Sequence, residues 1–434
     1  MKKVLVNGCR LVLALVFILS GFVKAVDPLG TQYKIEDYLQ AMHLGWALPE
    51  MGALALSVGL SALEFCLGIF MLFAIRRRLT SRLMLLMLLV MTPLTLWLAV
   101  ANPVSDCGCF GDALVLTNWQ TFWKNVALLA MSVLVAWHPL EMMRFVGKSS
   151  QWIVINYSAL FILAVASWSL YYLPLFDFRP YHIGANIREG MEMPEGAEQP
   201  QFETTFILEK DGQKREFTLD DYPDSTWTFV DSRTKMVSQG YVPPIHDFNI
   251  VTVDGDDITD EVLSDTSYTF LLVAPWLERA DDSRFDLINE VYEYAKEHAY
   301  HFYCLTSSAE KSRGIWSEMT GAEYPFCTAD AITLKTVIRS NPGLVLIKDG
   351  LVIGKWGRNS LPELEQAEAS LPLEQLSIGQ MPANSAAAKI AWLLMWFVLP
   401  LMLLTIADRT WAWSQWLRRR KRDTFNKPNK TEQQ

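Results

Sequence analysis

The sequence predicts an α-helical membrane bundle of six transmembrane helices joined to an external α/β domain, with a small β unit ahead of that domain. Three observations predict it. Half of the 434 residues are apolar and they fall in blocks rather than being evenly spread. Six blocks reach or approach the ~20 residues that cross a hydrocarbon core of roughly 30 Å as a helix. Between the fifth and sixth blocks, the pattern changes to strands alternating with amphipathic helices.

The six blocks run over 4–26, 51–75, 79–101, 119–137, 152–173 and 386–406. The fourth is the weakest, because Lys124 and Asn125 sit inside it, near an end where a lysine can snorkel to the headgroups. The first follows "MKK" but has no small-x-small cleavage site before the next span, so it is expected to stay as an uncleaved helix.

Orientation follows from the short loops, because lysine and arginine are retained on the cytoplasmic side. Lys2, Lys3 and Arg10 flank the first span, and Arg76, Arg77, Arg78 and Arg82 lie between the second and third. Arg144 and Lys148 separate the fourth and fifth, and "RRRKR" at 418–422 follows the sixth. If every block crosses, all four sites share one side. Both termini are then cytoplasmic, and the loop after the third span and the segment 174–384 are external. A bacterial inner membrane with a periplasmic domain is the expected setting. The final basic run stands beside Trp411, Trp413 and Trp416 and reads as an interface anchor. The net charge of −9 arises mainly in the external segment, and nothing in it suggests a nucleic-acid partner.

The external segment begins with a linker and a β unit over 176–242, where "FETTFILEK" and "QKREFTL" alternate on either side of Asp211-Gly212, the chemistry of a two-residue hairpin turn. Over 243–371 the order is strand, helix, strand, helix, strand, helix, strand, strand, with Asp349-Gly350 joining the last two. That order and "SNPGLVLIKDGLVIGKW" resemble the thioredoxin fold, particularly its thiol-reductase and peroxiredoxin-like branches. The resemblance implies a cis proline before the terminal hairpin, at Pro342. Members that do chemistry carry CxxC after the first central strand, at a helix N-terminus that lowers the thiol pKa. Here "APWLERADDSRF" stands in that place and has no cysteine. The domain therefore reads as a binding or docking module. Cys304 and Cys327 are either buried small hydrophobes or a structural disulfide, which an oxidising compartment permits.

Residues 1–140 resemble the DoxX and MauE families of four-helix membrane proteins. The likeness rests on "LVFILSGFVKAVDP", "LEFCLGIF", and "DCGCFGD" followed by "NWQTFWKNVALL"; the CGCFG element points to the MauE side. The remaining parts are a fifth helix within 141–175, a sixth over 386–407 and a basic cytoplasmic tail at 408–434. DoxX-type proteins are linked to thiol or thiosulfate oxidation with quinone, and MauE-type proteins to maturation of disulfide-rich partners. The resemblance thus implies a redox setting, quinone as cofactor and an envelope protein as partner, alongside membrane lipid.

The residues themselves support thiol chemistry. A Cys107–Cys109 bridge would close a very small ring, strained and readily reduced, with Gly108 easing the backbone. The pair could instead be a structural turn, or metal ligands, though no second Cys or His pair lies nearby to complete a tetrahedral site. Asp106, Phe110 and Asp112 accompany the pair in the loop. Glu64 lies deep in the second span, where a carboxylate needs a partner. Counted from Met51 it is roughly 20 Å deep, so a direct pair with Lys24, at the outer end of the first span, looks strained. Glu64 is then protonated, hydrogen-bonded between helices, or in contact with a quinone or lipid headgroup. Cys9 and Cys66 read as packing.

Two functions compete. One is a membrane thiol:disulfide oxidoreductase, or its accessory subunit, that cycles Cys107 and Cys109. The other is a non-enzymatic anchored scaffold whose thioredoxin-like domain holds a partner. A transporter is less favoured, since no internal repeat or broken-helix pair is evident.

Overall fold

The computed structural model describes residues 1–104, 107–194, 196–197, 201–210, 213–217, 228–238, 240–364, 370–382 and 386–425. The amino-terminal part is helical: α1 (Lys2–Val26), α2 (Pro28–Ala41), α3 (Glu50–Phe73), α4 (Arg77–Ala101), α5 (Asn118–Trp137), α6 (Gln151–Tyr171) and the short α7 (Ile187–Met191). Helices α1 and α3 run antiparallel in close contact. A Cβ on Gly21 would come within 2.3 Å of the Phe65 nitrogen, and one on Gly68 within 2.7 Å of the Ile18 nitrogen, so only glycine lets the two backbones approach this far.

That register puts Gly21 level with Ser61 and Phe65. The first turns of α3 therefore extend beyond the end of α1, by about 12 Å at 1.5 Å per residue. Helix α2 packs against this overhang. It starts at Asp27, whose carboxylate accepts a hydrogen bond from the Gly30 N–H at 2.9 Å, with Pro28 in the first turn where its missing N–H costs nothing. The apolar pattern of the sequence predicts no helix here.

After α7 comes a three-stranded antiparallel sheet in the order β2 (Gln213–Phe217), β1 (Gln201–Lys210), β3 (Thr228–Ser238). Lys210 pairs with Gln213, as a two-residue hairpin requires. The Asp211-Gly212 turn itself lies outside the described residues. The third strand was not expected.

The larger sheet is mixed. Its elements are β4 (Val251–Thr252), α8 (Thr259–Ser264), β5 (Tyr268–Val273), α9 (Phe285–Glu297), β6 (His301–Thr306), α10 (Glu310–Thr320), β7 (Phe326–Thr328), α11 (Ala331–Val337), β8 (Gly343–Lys348) and β9 (Leu351–Gly357). From β5 onward they follow the order read from the sequence; β4 is an addition. The spatial order is β4-β7-β6-β5-β8-β9, with β5, β6 and β7 parallel and the other neighbours antiparallel. Strand β5 is buried along its whole length because helices cover both faces. One face packs Phe270, Trp316 and Leu346, the other Leu271, Leu305 and Val345. The Asn341–Pro342 peptide is cis.

The chain closes with α12 (Ala386–Phe425), which continues through most of the expected cytoplasmic tail. Among the described residues five helices are long and apolar enough to cross a membrane: α1, α3, α4, α6 with the turn before it, and α12. Helix α5 is outside that set because its inward face carries Asn118, Thr121, Asn125 and Ser132, all buried, yet it packs along α4 and α1.

The two ends of the bundle differ in chemistry. At one end Arg10 donates to the Met143 carbonyl at 2.5 Å, Arg77 to Leu140 and Met142 at 2.7 and 2.8 Å, and Arg409 to Arg144. The opposite end carries α2, the loop between α4 and α5, and the larger sheet.

Candidate functional site: the Cys-Gly-Cys loop

The loop from α4 to α5 is fixed at both sides. Helix α4 ends at Asn102 in the left-handed region, φ 45°. Helix α5 begins with a capping box: the Gln120 N–H donates to Thr117 Oγ1, and the Thr117 N–H to Gln120 Oε1. Between them Gly108 takes φ +61°, which a side chain would resist, and its Cβ would meet Lys34 Cγ at 3.1 Å. The Gly111 N–H donates to the Gly108 carbonyl at 3.0 Å and closes the turn. Asp106 lies outside the described residues.

Both cysteines are half-buried and free, with their sulfurs 2.8 Å apart. The backbone of each is tied to the helices beneath. Tyr38 Oη of α2 donates to the Cys107 carbonyl, and Ser20 Oγ of α1 lies 2.8 Å from the Cys109 carbonyl. Phe110 stacks beneath a cation, with Lys124 Nζ 4.5 Å from its ring centroid.

The electrostatics separate the two thiols. The hydrogen bond from Cys107 favours a thiolate on Cys109; Lys124 and Lys24 reinforce it against burial, and Cys109 falls to about 6. The same contact and burial push Cys107 upward.

Below the loop lies a buried ion pair that the depth count argued against. Lys24 Nζ is 2.7 Å from Glu64 Oε1 and 2.8 Å from Oε2, with the two side chains 8% and 6% exposed. The expectation of a strained pair is corrected. Glu64 is deep in α3 but near the outer end of α1, because α3 starts well beyond the end of α1; it lies level with Ser20 and Gly21, and Lys24, one turn further out, reaches back to it. Ser20 joins the pair, donating to Glu64 Oε2 at 2.7 Å and accepting from Lys24 at 3.2 Å. Ser20 thereby links this cluster to Cys109. Sequence reasoning missed Ser20 and Tyr38; the i, i+4 spacing of Ser20 and Lys24 on one helix face was the available signal.

The larger sheet's domain sits directly over this end. Arg339, just after α11, places Nε 2.9 Å from Asp27 Oδ2 and Nη2 3.6 Å from Asp112 Oδ2. Arg339 holds Asp27 below the usual carboxylate range despite its burial. Lys335 Nζ lies 4.3 Å from the Tyr33 ring centroid and 4.4 Å from that of Trp276, and Arg279 pairs with Glu50 at 3.0 Å. Trp276 and Arg279 belong to the segment "APWLERADDSRF", so the stretch without cysteines meets the start of α3 through Arg279 and α2 through Lys335, which lies over both Trp276 and Tyr33. A cavity of about 240 Å³ remains between the parts, lined by Gly108, Asp112, Lys34, Asp37, Lys335 and Arg339 among others.

Cys304 and Cys327 are not brought to this site. Cys304 pairs in register with Phe326 and Leu305 with Cys327, so the two thiols sit on opposite faces of the sheet. Both are buried and free, and the disulfide alternative is not formed. Burial raises both, Cys327 to about 11.

No curated protein matches the chain. Among solved structures, a Bacteroides thetaiotaomicron protein studied in solution and provisionally described as a protein disulfide isomerase is 18% identical, over 25% of this chain and 73% of that one, with a TM-score of 0.22. Residues 202–239 match the family described as a domain of unknown function (DUF8463). Residues 2–138, from α1 through α5 and including the Cys-Gly-Cys loop, match the family described as Methylamine utilisation protein MauE.

Proposed function

We propose that the protein is a membrane thiol:disulfide exchange protein, in which Cys107 and Cys109 take electrons from the thiols of another envelope protein. One observation carries the reading. Two sulfurs 2.8 Å apart are held above a buried Lys24–Glu64–Ser20 cluster, with Lys24 and Lys124 drawing Cys109 toward its thiolate.

The asymmetry orders the chemistry. A partner thiolate attacks the Cys107 sulfur of the oxidised pair, the bond between the two sulfurs breaks, and Cys109 leaves as the better-stabilised thiolate. The partner's second thiolate then attacks the mixed disulfide and releases Cys107. Two electrons move onto the pair, and the partner gains a disulfide. Re-oxidation by a disulfide of a second protein reverses the same steps.

The cavity against Gly108 mixes charged walls, Lys34, Asp112 and Arg339, with apolar and aromatic ones, Val23, Tyr33, Phe176 and Phe178; the exchange between proteins balances without a quinone.

In this reading the chain crosses the inner membrane six times, α5 included, with both termini cytoplasmic. The gathering of Arg10, Arg77, Arg144 and Arg409 at one end supports that orientation. The larger sheet's domain is thioredoxin-like in strand order and terminal hairpin. Lacking thiols on its α2-facing segment, it serves as a docking module over the loop.

Changing Cys109 to Ala and purifying the protein from cells under non-reducing conditions tests the reading. Cys107 should carry a mixed disulfide with an envelope protein that thiols release. A pair that never changes redox state in cells, together with an empty trap, would sink it.

A further inference from the structure

Where α6 leaves the bundle, a cavity opens that the thiol chemistry does not use. It measures about 730 Å³ and is walled by Trp168 of α6, the chain just after it from Tyr172 on, Lys355 of β9 and Lys389 of α12. It runs into an apolar groove of about 560 Å³ between α6 and α12, lined by Phe161, Val165, Trp392 and Trp396 among others. Trp168, Leu175 and Lys389 line both.

The two parts have opposite chemistry. In the wider part, Arg179, Lys355 and Lys389 face one carboxylate, Asp177. Arg179 Nε and Lys355 Nζ lie 2.7 and 2.6 Å from the two Asp177 oxygens, and both cationic side chains are 3% exposed. Asp177 is thus already shared. Burial, with Arg179 alongside, pushes Lys355 down to about 8 against the pull of Asp177, and its Nζ also donates to the Tyr181 carbonyl at 3.1 Å. Lys389 Nζ donates to the Leu175 carbonyl at 3.1 Å and remains exposed at the rim. Apart from Lys389 at its mouth, the groove offers apolar walls and indole rings, the side chains that settle at headgroup depth.

We propose that this compound cavity binds an anionic phospholipid, with its phosphate at the Lys355–Lys389 end and an acyl chain in the groove between α6 and α12. An apolar groove alone accepts any lipid; the cationic end makes the choice. Lysine suits a phosphate as a point charge. A lipid seated there touches α6, α12 and β9 together, and so joins the base of the external domain to the bundle.

The test uses the full chain in nanodiscs containing equal phosphatidylglycerol and phosphatidylcholine, followed by native mass spectrometry of the lipid retained after extraction. Phosphatidylglycerol should be retained in preference. Lys389→Glu, at an exposed position that folding tolerates, should lower that preference about fivefold or more, the effect of one basic side chain near a charged lipid surface. Trp392→Ala should lower phosphatidylglycerol retention while leaving the head-end residues in place. Equal retention of the two lipids by the unaltered protein, or unchanged preference in Lys389→Glu, would overturn the proposal. Thermal stabilisation of lipid-stripped protein by inorganic phosphate but not by phosphatidylglycerol would overturn it too, assigning the pocket to a soluble anion.

Discussion

The membrane part and the domain above it treat cysteine in opposite ways. In the larger sheet, Cys304 and Cys327 are two more small apolar side chains, one in each face of the core, and burial raises both thiols. In the loop between α4 and α5, Cys107 and Cys109 are half-buried beside Lys24, Lys124 and a buried carboxylate. The difference lies in the local field: the sheet offers its thiols only apolar burial, whereas the helical loop sets its pair beside lysines, and that contrast is what the proposed thiol exchange rests on.

The comparison breaks most visibly by exchanging one sulfur in each region. Cys107→Ser should abolish thiol–disulfide cycling in alkylation-trapping experiments, a loss of orders of magnitude. Cys304→Ala should leave cycling intact and cost about 1 kcal/mol of stability, as a typical core substitution does. Equal effects at both positions would erase the distinction.

A second contrast concerns how the polar groups are held. Glu64→Leu leaves Lys24 buried and unpaired, which should destabilise the bundle by about 3 to 5 kcal/mol, measured by thermal unfolding in detergent. The double change Lys24→Met with Glu64→Leu removes both charges and should recover most of that loss. A double variant as unstable as the single one would show that the pair matters for more than charge balance.

The thiol field is sharpened by titration. Alkylation of Cys109 in the reduced protein should rise with pH to half its maximum near 6, whereas an ordinary thiol does so near 8.5. Lys124→Met should move the midpoint upward. A midpoint of 8.5 in the unaltered protein contradicts the electrostatic account.

The smallest expected effect is an acid one at Asp177. Burial works against the Asp177 charge, but Arg179 and Lys355 together hold it at about 2, below its ordinary 3.8. A carboxyl lowered on folding stabilises the protein above its unfolded pKa, and that contribution disappears as pH falls through the folded value. Tryptophan fluorescence should therefore show loosening between about pH 4 and 2, and Asp177→Asn should remove that step.

The sequence disclosed what repeats or punctuates. The apolar blocks, the order of elements from β5 to β9 and the CGC loop were all legible, because each leaves a periodic or compositional trace. Helix α2 was not, since 14 residues of mixed character outside the membrane carry little pattern beyond the Asp27-Pro28 start. The Lys24–Glu64 pair was misjudged for a related reason. Depth counted along one helix says nothing about the offset of its neighbour, and that offset is set by Gly21 and Gly68 at a contact the sequence does not announce. Ser20 and Tyr38 reach the loop from distant positions, and such contacts exist only after folding. Helix α5 shows the converse: its buried Asn118, Thr121 and Asn125 weaken the apolar signal of a helix that nonetheless packs within the bundle.

The domain carrying the larger sheet is inserted between α6 and α12, so it is fastened to the bundle at both ends. Its docking over α2 is an intramolecular encounter, governed by an effective local concentration rather than by how much protein the cell makes; short tethers set such concentrations in the millimolar range. Contacts as modest as the exposed Arg279–Glu50 pair then suffice to keep the domain over the thiol loop. On the proposed exchange, a partner protein would have to displace an attached neighbour to reach the sulfurs, so entry to the loop would be a competition that the tether biases at every expression level.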